Sequence, residues 1–104
     1  MQIQTETVAD SQRHFVSGEL DADNCHQLTI VLGDGPTEDG SNPYASVVVD
    51  LEQVTFLDSS ALSELLRIKT ELEGSGIEFS IGAASPQVRR VLEITGLVGT
   101  FGLD

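Results

Sequence analysis

The chain has 104 residues, room for one domain built on one hydrophobic core. Seventeen acidic residues against five basic ones give a net charge of −12, which argues against a nucleic-acid partner and against an anionic membrane surface. Cys25 stands alone and cannot close an internal disulfide, the N-terminus lacks a secretory signal, and no apolar run reaches the ~20 residues of a membrane helix, so a soluble cytoplasmic protein without direct membrane insertion is expected.

With five aromatics and no Trp, the core has to come from Val, Ile, Leu and Ala. Gln2 to Val8 alternates polar and apolar residues and reads as an edge strand. Ala9 to Gln12 is a polar turn, and Arg13 to Ser17, carrying Phe15 and Val16, is a second strand that Gly18 ends. Asp21 is a suitable N-cap for a helix in which Ala22, Cys25, Leu28, Val31 and Leu32 recur at helical spacing, with Gly33 as its stop. Cys25 falls on the inward stripe and reads as a small buried hydrophobe.

Gly33 to Tyr44 (GDGPTEDGSNPY) is a long loop rich in Gly, Pro and acids. Asp34, Glu38 and Asp39 supply oxygens there, but the spacing and closing Glu of a calcium loop are absent, so no metal is expected. Ala45 to Leu51 is a nearly continuous apolar run, as in a strand covered on both faces, and Thr55 to Leu57 is a second small apolar patch. A helix follows, with Leu62, Leu65, Leu66, the stem of Lys69 and Leu72 facing inward, ended by Gly74 and Gly76. Ile77 to Ala83 is the next strand, and the strand–helix–strand spacing predicts a parallel pair with a right-handed crossover.

Ser85-Pro86 is an N-cap followed by proline at N1; Val88, Val91, Leu92 and Thr95 form the stripe of that helix, and Gly96 stops it. Phe101 and Leu103 are expected in a last short strand. The fold class is therefore α/β: a single domain over residues 1–104, a mixed sheet with helices packed on it, in the order β-β-α-β-α-β-α-β.

The candidate site is Asp58-Ser59-Ser60, where a buried strand hands over to a helix, the edge at which α/β sheets usually meet ligands. One Asp or Ser suffices to cap a helix, and three such residues stand here in a row. A second hydroxyl beside an occupied cap is free to face solvent, where the positive end of the helix tolerates a phosphate. Capping and a functional hydroxyl are both open readings of these residues. A Ser-dependent hydrolase is the remote alternative: Asp58 adjoins Ser59 and two histidines exist, His14 and His26, but the G-x-S-x-G elbow is missing. No phosphate-cradling glycine loop is present, and Arg89-Arg90 reads as a solvated pair.

Four stretches together carry a family resemblance: Gly18-Glu19-Leu20-Asp21; Val47-Val48-Val49-Asp50-Leu51; Phe56-Leu57-Asp58-Ser59-Ser60-Ala61-Leu62; and Ser85-Pro86 with Thr95-Gly96-Leu97. They look like the STAS domain of bacterial anti-sigma factor antagonists over roughly Arg13 to Phe101, with F-L-D-S-S-A-L the specific part. The resemblance implies a non-enzymatic protein without cofactor. In its unphosphorylated form it binds an anti-sigma factor that is also a serine kinase with an ATP site; phosphorylation switches it off, and a PP2C-type phosphatase restores it. By motif position the phosphoacceptor is Ser59, with Ser60 second, and Asp21, Asp58, Ser59, Ser60 and Ala61 form the partner-facing surface. The alternative within the same resemblance is a STAS subunit of a transporter or of a stress-sensing complex.

Overall fold

The computed structural model describes residues 1–32 and 44–103. The expected helix stop at Gly33 and the acidic loop as far as Pro43 lie outside the described residues, as does Asp104. The first twenty residues form a hairpin: Gln2–Val8 (β1) turns at Ala9 and Asp10 and returns as Ser11–Leu20 (β2). Ala9 takes a positive φ of 54°, as tight hairpin turns demand of a central residue. β2 does not end at Gly18 as expected. It passes through that glycine at φ 92°, with irregular register against its neighbour, and a Cβ there would lie 3.3 Å from Met1 Cα.

The remaining described elements are His26–Leu32 (α1), Ser46–Leu57 (β3), Ser59–Gly74 (α2), Glu78–Ala84 (β4) and Pro86–Thr95 (α3). The strands form one sheet in the order β1-β2-β3-β4. β1 is antiparallel to β2, while β2, β3 and β4 run parallel, each parallel step being made through a helix. The two apolar patches predicted at Ala45–Leu51 and Thr55–Leu57 are halves of one twelve-residue strand. Gln12, His14, Val47, Val49, Phe79 and Ile81 share a face by register, and on it the strand residues Val16, Val49, Leu51 and Ile81 join Leu28, Leu65, Ile68, Leu72, Val88 and Leu92 of the helices in one core.

Three further expectations are corrected. The first helix starts at His26, because Asp21 caps a preceding turn: its carboxylate accepts from the N–H groups of Asp23 (3.0 Å) and Asn24 (3.2 Å), and its carbonyl from that of Cys25 (2.8 Å). In α2 the inward stripe is Ala61, Leu62, Leu65, Ile68 and Leu72; Leu66 and Lys69 are only half-buried, and Ile68, absent from the expected stripe, is fully buried.

The last strand does not form, so the order is β-β-α-β-α-β-α. The segment after α3 closes on itself: Phe101 N–H donates to the Leu97 carbonyl, Gly102 N–H to Gly99 and Leu103 N–H to Val98. Gly102, at φ 78°, lets the chain turn there. Phe101 and Leu103 are nevertheless buried, and one bond runs from Ile81 N–H to the Phe101 carbonyl at 2.9 Å. α3 starts and stops as predicted, with Ser85 Oγ accepting from Val88 N–H, Pro86 at the first position and Gly96 in the left-handed region at φ 74°, but Thr95, expected on its inward stripe, is exposed.

Candidate functional site

β2 and β3 end side by side at Leu20 and Leu57, and the site is built where they stop. Asp58 N–H still donates to the Leu20 carbonyl at 3.1 Å, so the residue that follows β3 is pinned to the residue that ends β2. Asp58 keeps an extended backbone (φ −97°, ψ 176°), the conformation of an N-cap, and its carbonyl accepts the first helical bond from Leu62 N–H. Its two carboxylate oxygens have separate duties. Oδ1 accepts from Ala61 N–H at 2.9 Å and caps α2; Oδ2 accepts from Ala22 N–H at 3.1 Å, in the turn that follows β2.

With Asp58 occupied in this way, neither serine is the cap. Ser59 and Ser60 are the first two residues of α2, and both are exposed. Asp21, Asp58, Ser59 and Ser60 are thus brought to one end of the sheet, Asp21 through its neighbour Ala22. Ala61 departs from the expected surface. It is fully buried, because the third helical position turns inward onto the core, so its side chain has no face to offer a partner.

This end of the molecule is acidic. Glu19, Asp21, Asp23 and Asp58 lie within or beside the two connections, and no Lys or Arg occurs anywhere between Arg13 and Arg67. Arg67 itself is engaged lower on α2. It bonds Glu64 and Glu71 on its own helix (2.7 Å to the latter) and Thr29 of α1 at 2.9 Å, while Thr29 donates to Glu64. The hydrogen bond from Arg67, then that from Thr29, holds the Glu64 carboxyl below its ordinary range, and the same bond raises the Arg67 guanidinium. The cluster ties α1 to α2.

Cys25 lies in the core, as expected; burial pushes its thiol up, with the carboxylates of Glu64, Asp58 and Asp21 adding to the effect. His14, one of the two bases a hydrolase could use, is only 1% exposed on β2. Its Nδ1 lies 2.9 Å from Thr5 Oγ1 and its Nε2 2.9 Å from Gln12 Oε1. An amide oxygen only accepts, so Nε2 carries the proton and Nδ1 accepts from Thr5. Burial holds this imidazole below its ordinary pKa. Sequence reasoning missed the arrangement, though the alternation of His14 with the buried Val16 was a signal for it. Among the described residues no cluster of His, Cys, Asp and Glu is arranged to hold a metal, and no helix is long and apolar enough to cross a membrane.

A capped helix with free hydroxyls, set at the C-terminal ends of parallel strands in a four-stranded mixed sheet, defines a small α/β domain of the STAS type. A family profile for the STAS domain matches residues 3–103, and the chain belongs to that family. It is 41% identical over 57 residues to a STAS-domain containing protein of Pseudomonas aeruginosa (strain UCBPP-PA14), an alignment covering 55% of this chain and 56% of that protein. The chain thus spans about half the length of that curated relative.

Among solved structures, an anti-sigma factor antagonist from Mycobacterium paratuberculosis superposes with a TM-score of 0.77 at 28% identity, over 98% of this chain and 83% of that one. SpoIIAA, an anti-sigma factor antagonist and cell fate determinant of Bacillus, has been solved in two forms. The unphosphorylated form gives a TM-score of 0.68 over 96% of this chain and 84% of that one. The phosphorylated form gives 0.66 over 96% and 87%, both at 24% identity.

Proposed function

We propose that this STAS domain is an anti-sigma factor antagonist that works by binding and carries out no catalysis itself. Unphosphorylated, it docks through the Asp21 turn, Asp58 and the start of α2 onto an anti-sigma factor that is also a serine kinase with an ATP site. The kinase transfers the γ-phosphoryl group of ATP to Ser59 Oγ, which loses its proton, and ADP leaves. A PP2C-type phosphatase hydrolyses the ester and returns the binding form. Ser60 is the second-choice acceptor.

The observation that carries this reading is the division of labour at the helix start. Asp58 holds the cap with one oxygen and the neighbouring turn with the other, which leaves the Ser59 hydroxyl exposed and unneeded for the fold. The likeness to anti-sigma factor antagonists, one of them known in both phosphorylation states, supports it.

The physics of the switch is local. A phosphate adds about −1.5 to −2 charges at neutral pH. With no Lys or Arg between Arg13 and Arg67, that charge arrives beside Asp58 in an acidic patch and has to be desolvated when a partner docks. A 100-fold loss of affinity requires about 2.7 kcal/mol. Two unit charges about 4 Å apart repel by about 1 kcal/mol in water and by about 4 kcal/mol at an effective dielectric near 20, so the rise of about 3 kcal/mol on docking is enough.

The test is to incubate the protein with candidate kinase and ATP, map the modified residue, and measure kinase binding of Ser59→Asp and Ser59→Ala. Phosphate on Ser59, weak binding by the aspartate variant and near wild-type binding by the alanine variant are expected. Phosphate confined to Thr55 or Ser63, or equal binding by the two variants, overturns the reading.

A further inference from the structure

The two edges of the sheet are finished differently. Beside β4 lies the C-terminal segment: Ile81 N–H donates to the Phe101 carbonyl, the Phe101 ring packs edge-on to Phe79 with centroids 6.3 Å apart, and Gly102 sits against Ser80. β1, at the opposite edge, has β2 on one side and no described segment on the other. Natural sheets blunt such an edge with proline, lysine, a bulge or a covering element. β1, with the sequence QIQTETV, carries no proline, lysine or bulge and a single charge, Glu6, and no described segment covers it. Its register runs unbroken from Gln2↔Ser17 to Val8↔Ser11, and every residue except Ile3 is exposed. The backbone N–H and C=O groups of alternate residues therefore point outward along a straight seven-residue edge.

We propose that β1 is the pairing edge for a second copy of this chain. The two β1 strands run antiparallel about a two-fold axis at Thr5, joining two four-stranded sheets into one of eight strands. The charge pattern of the strand selects this occupant and this register. With Thr5 facing its own copy, Gln4 faces Glu6 of the second copy, Ile3 faces Thr7 and Gln2 faces Val8, so all seven residues pair and each carboxylate meets an amide that can donate to it. An axis at Glu6 would set the two carboxylates against each other. An axis at Gln4 would leave Val8 without a partner and set Thr7 against Met1, outside the strand. Residues that face each other across the Thr5 axis are both odd or both even in number, so outward-pointing backbone groups meet outward-pointing groups. β1 is two strands away from β3, so Ser59 stays exposed in both copies.

The test is sedimentation equilibrium of the full chain at physiological ionic strength, for wild type, Gln4→Glu and Gln4→Lys. Gln4 is exposed, so neither substitution should disturb the fold, which thermal melts of each variant check. Gln87, exposed on α3, carries the same two substitutions as a control for net charge. Wild type is expected to dimerise reversibly. Gln4→Glu, which puts like charges opposite twice, should raise the dimer dissociation constant about tenfold, and Gln4→Lys should lower it. The Gln87 variants should stay near wild type. A wild-type monomer at every concentration, Gln4 variants that do not shift in opposite directions, or Gln87 variants that shift as much as those at Gln4, overturns the proposal.

Discussion

The carboxylate of Asp58 joins Ala22 to Ala61: one oxygen accepts from each backbone N–H, at 3.1 and 2.9 Å, across 36 residues of sequence on one side and three on the other. A single side chain thus closes the start of α2 and fixes the turn after β2 against it. Asp58→Ala removes both bonds and is expected to destabilise the domain by about 2 kcal/mol. Asp58→Asn keeps an oxygen for Ala61 N–H but turns its NH2 toward Ala22 N–H, so its loss should fall between wild type and alanine. Urea unfolding of the three proteins measures this order; a loss for Asn near zero would show that capping alone matters, and equal losses for Ala and Asn that the bond to Ala22 carries the effect.

The inward stripe of α2 makes a second expectation. Ile68 is fully buried while Lys69 keeps its amine in solvent, 2.5 Å from Glu73 on the same helix. Ile68→Ala leaves a cavity in the core and should cost about 2–5 kcal/mol. Lys69→Ala loses an exposed i,i+4 pair and some stem packing, about 0.5 kcal/mol. Denaturation midpoints of the two variants decide which residue belongs to the core.

What could be read from the residues, and what could not, divides along the range of the interactions. The Ser85-Pro86 start and Gly96 stop of α3 are local signals, and each appears in the structure as read. The apolar runs that became β3 and β4 are local too. Asp21 was ambiguous, because a carboxylate that caps a helix caps an isolated turn equally well, and here it does the latter. Phe101 and Leu103 had the alternation of a strand, yet Gly99 and Gly102 allowed the backbone to bond within its own turns while both side chains still reached the core. At the site, the exposed hydroxyls beside an occupied cap were legible in Asp58-Ser59-Ser60. The bond from Asp58 to Ala22 was not, since nothing local announces it. The burial of Ala61 was missed, since the motif put it on the partner-facing surface, although its place four residues before the inward Leu65 carried the signal.

His14 makes stability depend on pH. Its folded pKa is held below the ordinary 6.5 by burial, so once the pH falls below about 6.5 the unfolded chain binds a proton that the native state resists. The stability present above that pH is lost as the pH drops through the interval down to the folded pKa. His14→Phe removes the titrating group and should flatten the profile there. Denaturant titrations at closely spaced pH values from neutrality downward check it. Glu64, also held below its ordinary 4.5, begins to add a further loss of the same sign only at more acid pH.

Phosphorylation at Ser59 should change partner binding far more than it changes the fold. The phosphate would sit in the first turn of α2, where the helix dipole and free N–H groups favour it by about 0.3–1 kcal/mol. Asp58 beside it opposes by a similar amount, and with no Lys or Arg from residue 14 to residue 66 there is no cation on either connection to draw it into a new contact. The two effects nearly cancel, so unfolding free energies of the phosphorylated and unmodified proteins should agree within about 1 kcal/mol, and amide resonances should shift only around residues 20–24 and 57–63. Binding to the kinase should meanwhile weaken about 100-fold. Resonances that shift across β1 or α3, or a stability change as large as the binding change, would mean that the switch works by remodelling the domain and not by placing a charge on its surface.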